Sequence, residues 1–147
     1  MSWTIERHGR AAVVTMTTNP VNAQNRTFFT DLHDAFDRLE SEHADCPVVL
    51  TGQRQRFSAG LDLGEHFPLF AGPPEGVADW FAAYRATNVR LFTYPRPTVA
   101  AVNGHAFAGG LITSAVSTGG SPSTPGRGSA STRSSSASRC LRCTCGC

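Results

Sequence analysis

Apolar residues change their spacing several times along this chain, and each change marks an element. Trp3 to His8 and Ala11 to Thr17 read as two strands around the turn His8-Gly9-Arg10, which predicts a β-hairpin. Phe28, Phe29, Leu32, Phe36 and Leu39 then recur at helical spacing, with Asp31, Asp34, Asp37, Glu40 and Glu42 on or near the other face. That pattern predicts an amphipathic helix whose phenylalanines are core and whose acids form a solvated face. Cys46 to Gly52 and Thr98 to Val102 are short apolar, β-branched runs and read as buried strands. Asn19 to Asn25 reads as a loop, and Phe67 to Glu75 as a second loop interrupted by Pro and Gly. Val77 to Tyr94 reads as a helix with Trp80, Phe81, Tyr84, Val89 and Phe92 at its apolar positions. Asn103-Gly104 is a turn dipeptide, and Phe107 to Ile112 opens a buried helix on small residues.

Strand, glycine-containing turn and helix start therefore follow one another twice. Two ββα-like units span Ala11 to Glu42 and Pro47 to Tyr94, and a third begins at Thr98, an α/β organisation. With 147 residues there is room for one domain. No apolar run is long enough to cross a bilayer, and Met1 to Arg10 lacks the apolar core of a secretion signal, so the default is a soluble cytoplasmic protein without membrane partners.

Composition divides the chain near Thr113. All 13 basic residues are Arg. Residues 1–113 carry a net charge of −2, which argues against a nucleic-acid partner. Residues 114–147 carry +4 and no acid, with Val116 and Leu141 as their large aliphatics, so this stretch is expected to be low-complexity and disordered. Cys140, Cys143, Cys145 and Cys147 raise a soft-metal site as a rival reading. Four thiols crowded together without a His or a surrounding fold make a poor one, and no metal is assigned. Sparse arginines without interleaved aromatics also argue against RNA binding by the tail.

The chemistry resides in the two glycine-containing turns. Small residues let backbone approach a ligand, and the free N–H groups of a helix start, at the positive end of its dipole, suit an oxygen that is becoming negative. Asp62 reads as a helix cap. His66 and His105 are titratable and lie near the turns.

The segment Phe57-Ser58-Ala59-Gly60-Leu61-Asp62-Leu63, followed at fitting separation by Pro97-Thr98-Val99-Ala100-Ala101-Val102-Asn103-Gly104-His105-Ala106-Phe107-Ala108-Gly109-Gly110, resembles the paired signatures of the crotonase superfamily, the enoyl-CoA hydratase/isomerase group. The resemblance covers roughly Trp3 to Thr113. It implies the N-terminal part of a spiral of ββα turns, an acyl-CoA substrate and no separate cofactor, since CoA belongs to the substrate. It further implies that the backbone N–H groups of Leu61 and Gly109 hold a thioester carbonyl, and that Asn22, Ala23 and Gln24, with Ser58, Ala59, Gly60, Asp62 and Gly110, border the substrate. Hydratases of the family carry a glutamate where this chain has Ile112, which makes an isomerase acting on fatty acyl thioesters the better match.

The single later glutamate of such isomerases is missing from residues 114–147. With G/C-rich codons, a shifted reading of the tail from Gly119 onward yields crotonase-like sequence whose glutamate codon straddles Thr132 and Arg133, which suggests a frameshift or truncation. As written, the chain is expected to turn over little or nothing and to be impaired in the family's trimer. The alternative is a non-catalytic acyl-CoA-binding fragment.

Overall fold

The computed structural model describes residues 2–117 and the two-residue strand Ser121–Pro122. The Ser/Arg-rich stretch and the Cys140–Cys147 cluster lie outside the described residues. The hairpin forms as read: β1 (Thr4–His8) pairs antiparallel with β2 (Ala11–Met16) around Gly9, whose φ of +60° suits glycine. β2, β4 (Val48–Gly52) and β7 (Thr98–Val102) then run parallel, and β9 (Ser121–Pro122) pairs with β7 at Ala101 and Val102. The five-stranded sheet has the order β1-β2-β4-β7-β9. Cys46 is buried but precedes β4, because Pro47 supplies only its carbonyl, to Ala12 N–H.

The helix α1 (Arg26–Glu42) covers this sheet with the stripe Phe28, Leu32, Phe36 and Leu39, all essentially buried. Asn25 caps it, its Oδ1 accepting from Phe28 N–H at 2.9 Å. One acid departs from the solvated face. Asp31 is buried and accepts from Ser2 N–H at 3.0 Å, from the Ser2 hydroxyl, and from Thr18 Oγ1 at 3.2 Å. It pins the start of the chain to α1.

The presumed loop after the first glycine turn is largely helical. α2 (Leu63–Phe70) runs through Pro68, and only residues 71–73 separate it from α3 (Pro74–Phe92). Pro74 occupies the first helical position, where its missing N–H costs nothing, so this proline starts a helix instead of breaking one. Along α3 the buried stripe is Trp80, Thr87 and Leu91, with Tyr84 partly buried against the core. Phe81, Val89 and Phe92 are exposed, because α3 touches the rest of the molecule along one face only.

The third unit also corrects its reading. Its helix α4 (Gly109–Val116) starts two residues after Phe107 and buries Gly109, Gly110, Thr113 and Ser114 while exposing Leu111 and Ile112. The small face turns inward and the apolar face outward. None of the described helices is long and apolar enough to cross a membrane.

Candidate functional site

Two short parallel ladders bring three loops together at one end of the sheet. β3 (Ala23–Gln24) pairs with β6 (Gly60–Leu61), and β5 (Arg56–Ser58) pairs with β8 (His105–Ala106). The loop read as Asn19 to Asn25 thus holds a short strand, and the glycine turns are tied to each other through backbone.

Buried amide side chains set the spacing. Asn22, with φ of 49°, sits in the left-handed region that Asn tolerates, and its Nδ2 donates to the Phe57 carbonyl at 3.2 Å. Ser58 Oγ donates to Asn22 O at 2.7 Å and accepts from Gly60 N–H at 3.2 Å. Gln24 Nε2 donates to Thr113 Oγ1 at 2.9 Å, and that hydroxyl donates to Gly109 O at 3.1 Å. Asn22, Gln24 and Ser58 are fully buried, so their side chains serve the protein's own loops. Ala23 is half-buried, and Ala59 is exposed.

Glycine is required where these loops meet. A Cβ on Gly60, whose φ is +84°, would lie 2.6 Å from Phe107 O and 3.2 Å from Gly109 N. One on Gly110 would lie 2.6 Å from Ser58 O, and one on Gly109 would overlap Gln24 Oε1. The two motifs, far apart in sequence, are therefore packed so closely at Gly60 that a side chain would not fit, and Phe107 N–H donates to Ser58 O between them at 3.0 Å.

The orientation of two N–H groups follows. Asp62 N–H donates to Gln24 O at 3.1 Å, and N–H groups alternate sides along a strand, so the Leu61 N–H faces away from β3. Gly109 is the first residue of α4, and its N–H precedes the first intrahelical bond. Ala108 ahead of it has no side-chain cap and holds φ 41°, ψ −112°, a strained conformation for a residue with a Cβ. Strain of this kind, about 1–3 kcal/mol, is stored at the turn that aims Gly109.

Of the remaining candidates, Asp62 caps α2, its Oδ1 accepting from Gly64 N–H at 3.0 Å, as read from the sequence. Glu65 accepts from Arg26 N–H through both oxygens at 3.2 Å and so sits at the start of α1. His105 is exposed. His66 is fully buried against Trp80, at 4.7 Å between ring centroids, and Nδ1–H donates to Asp62 O at 2.5 Å, leaving Nε2 without a partner among the described residues. A cavity of about 550 Å³ between α1, α2 and α3, lined by Phe29, His33, Leu69, Trp80, Ala83 and Thr87 among others, had no sequence signal. It shares no residue with the glycine turns. Among the described residues no group of three or more His, Cys, Asp or Glu is placed to hold a metal.

The family model described as enoyl-CoA hydratase/isomerase matches residues 6–116. Among solved structures, the chain is similar to an enoyl-CoA hydratase from Thermoplasma volcanium GSS1, with a TM-score of 0.69 and 28% identity over 80% of this chain and 46% of that one. It is similar to human mitochondrial delta3-delta2-enoyl-CoA isomerase, with a TM-score of 0.70 and 29% identity over 80% of this chain and 45% of that one. Pseudomonas aeruginosa DspI gives a TM-score of 0.67 and 28% identity over 79% and 47%. The chain spans under half the length of these proteins.

Proposed function

The chain belongs to the enoyl-CoA hydratase/isomerase family, and from that premise we propose that its two glycine turns form an oxyanion hole for the thioester carbonyl of an acyl-CoA. Leu61 N–H and Gly109 N–H are the donors. When a proton leaves the α carbon, the carbonyl oxygen becomes an enolate oxygen, and fixed N–H dipoles stabilise it without reorganising. One such donor is worth about 3–4 kcal/mol of barrier. The single observation that carries this reading is the close approach of the two turns, where a Cβ on Gly60 would lie 3.2 Å from Gly109 N across 49 residues of sequence. The strained Ala108 turn supports it, since the cost of aiming Gly109 is met in folding.

Asn22, Gln24, Ser58 and Gly110 act behind this site, holding its loops, while Ala23, Ala59 and Gly60 offer backbone to the CoA thioester. Asp62 acts as a cap. It and Glu65 are engaged at helix starts, so neither is assigned as the base, and Ile112 offers no proton acceptor. The family reaction that fits best is isomerisation, in which a single base moves one proton between two carbons. That base is not assigned among the described residues. The 147-residue chain therefore binds acyl-CoA thioesters and turns them over little, with residues 1–113 as its binding unit and without a stable homotrimer. The cytoplasm is the proposed compartment.

Incubating the chain with a 3-enoyl-CoA tests both parts. Saturable binding without 2-enoyl-CoA at enzyme-like rates is the predicted result. Product at such rates contradicts the missing base, and no saturable binding contradicts the site.

A further inference from the structure

Gln24 touches both halves of the proposed oxyanion hole. Its backbone pairs with Leu61 in the β3–β6 ladder, and Gln24 O accepts from Asp62 N–H at 3.1 Å. Its side chain reaches the other half. Nε2 donates to Thr113 Oγ1 at 2.9 Å, and Thr113 in turn donates to the carbonyl of Gly109, the first residue of α4, at 3.1 Å. The Thr113 hydroxyl has a single proton and gives it to Gly109, so it can only accept from Gln24, which orients the amide with Nε2 toward Thr113. Oε1 then lies against Gly109, where a Cβ would overlap it. The side chains of Asn22 and Ser58, by contrast, bond to the loop around β3 and to the first turn.

Packing alone does not require an amide here. Gln24 is fully buried, yet its Oε1 accepts no hydrogen bond among the described residues. A buried acceptor without a donor is destabilising, and an unbranched apolar side chain of similar length would fill the space without one. What the amide supplies is direction. A hydrogen bond fixes distance and angle, whereas an apolar contact lets a helix slide or turn. We propose that Gln24 is a positioning residue that sets the separation and mutual orientation of the Leu61 and Gly109 N–H groups. It holds the strand carrying Leu61 through its carbonyl and the helix start at Gly109 through Thr113. The chain Gln24, Thr113, Gly109 thus fixes the rotation of α4 about its own axis relative to β6. What the two donors bind rests on the acyl-CoA reading above, and the strut between them rests on the hydrogen bonds.

Gln24→Met in the full 147-residue chain tests this, since it keeps the backbone carbonyl, removes the orphan oxygen and leaves Thr113 bonded to Gly109 O. Parent and variant are compared by urea unfolding and by the infrared band of an acyl-CoA labelled with carbon-13 at its thioester carbonyl, free and bound. The expected result is a urea midpoint no lower than the parent's, together with loss of about half of the downward band shift, one donor of two being misaligned. Acyl-CoA binding weakens by roughly threefold to tenfold, the worth of one neutral hydrogen bond. Thr113→Val loses the shift in the same way, and Thr113→Ser, which keeps the hydroxyl, retains it. A merely structural role would not move stability and carbonyl polarisation apart. A folded Gln24→Met chain with the parent's whole shift overturns the proposal, as does a loss of shift that tracks the unfolded fraction. If the parent binds acyl-CoA with no shift at all, the oxyanion reading fails, and the strut is then read without ligand from the amide resonances of nitrogen-15-labelled chain. There the Gly109 resonance is expected to move in Gln24→Met while that of Leu61 stays, and an unchanged Gly109 resonance overturns the strut.

Discussion

Gly60 and Gly9 both sit at positive φ, yet their surroundings differ. Nothing lies within 4 Å of a Cβ built on Gly9, whereas one on Gly60 meets Phe107 O at 2.6 Å. Gly9→Ala therefore pays backbone strain alone, about 1–2 kcal/mol. Gly60→Ala adds overpacking against backbone and is expected to cost at least about 3 kcal/mol. Urea unfolding midpoints of the two variants check this, and equal losses would contradict the backbone contact on which the site rests. Thr113→Val is the matching test of the polar side of the junction. It leaves Gln24 Nε2 buried and unpaired and is expected to cost about 1–3 kcal/mol in the same assay. Cys46 gives a chemical readout. Burial pushes its thiol above the usual range, with a further push from the Asp45 carboxylate it bonds at 3.5 Å. The thiolate fraction at neutral pH is reduced, so in the native chain peptide mapping should find Cys46 unmodified by a thiol reagent that labels it after denaturation.

At the scale of elements, legibility followed how many sides of an element are covered. α1 packs its Phe28, Leu32, Phe36, Leu39 stripe into the core shared with the sheet, so that stripe is readable from spacing alone. β2, β4 and β7 are central and continuous in their apolar runs, and they too were readable. α3 is legible as a helix, but its apolar positions do not mark its inner face, because Phe81, Val89 and Phe92 are apolar without being buried and Thr87 is buried without being apolar. The inverted α4 is the same failure in a stronger form. Periodicity reports where apolar residues are, and it reports burial only when water lies on the other side. Asp31 failed differently, since its partners Ser2 and Thr18 come from elsewhere in the chain and leave no mark on the helical pattern. The glycine turns were legible as motifs, and the Asp62 cap from its position ahead of α2. The side-chain system behind the turns, Asn22 with Phe57 and Gln24 with Thr113, was not, because it joins residues distant in sequence. Asp62→Ala is expected to cost about 1 kcal/mol by removing the bond to Gly64 N–H. Because Asp62 is treated as a cap, acyl-CoA affinity should follow the folded fraction and show no separate loss.

For the molecule as a whole, the central parallel strands place the ends of β4 and β7 side by side, and the two short ladders convert that proximity into contact between the glycine turns. The chain so built spans under half the length of the solved structures it resembles. On the proposed reading, with Leu61 and Gly109 N–H as donors and no base assigned among the described residues, binding and chemistry are expected to separate. The most direct test is isotope-edited infrared spectroscopy of an acyl-CoA labelled with carbon-13 at the thioester carbonyl, recorded free and bound to the full chain. Two N–H donors polarise the carbonyl and weaken its double bond, so the account predicts that the labelled band moves to lower frequency on binding. A bound ligand whose carbonyl band stays at its position in water would contradict the oxyanion hole.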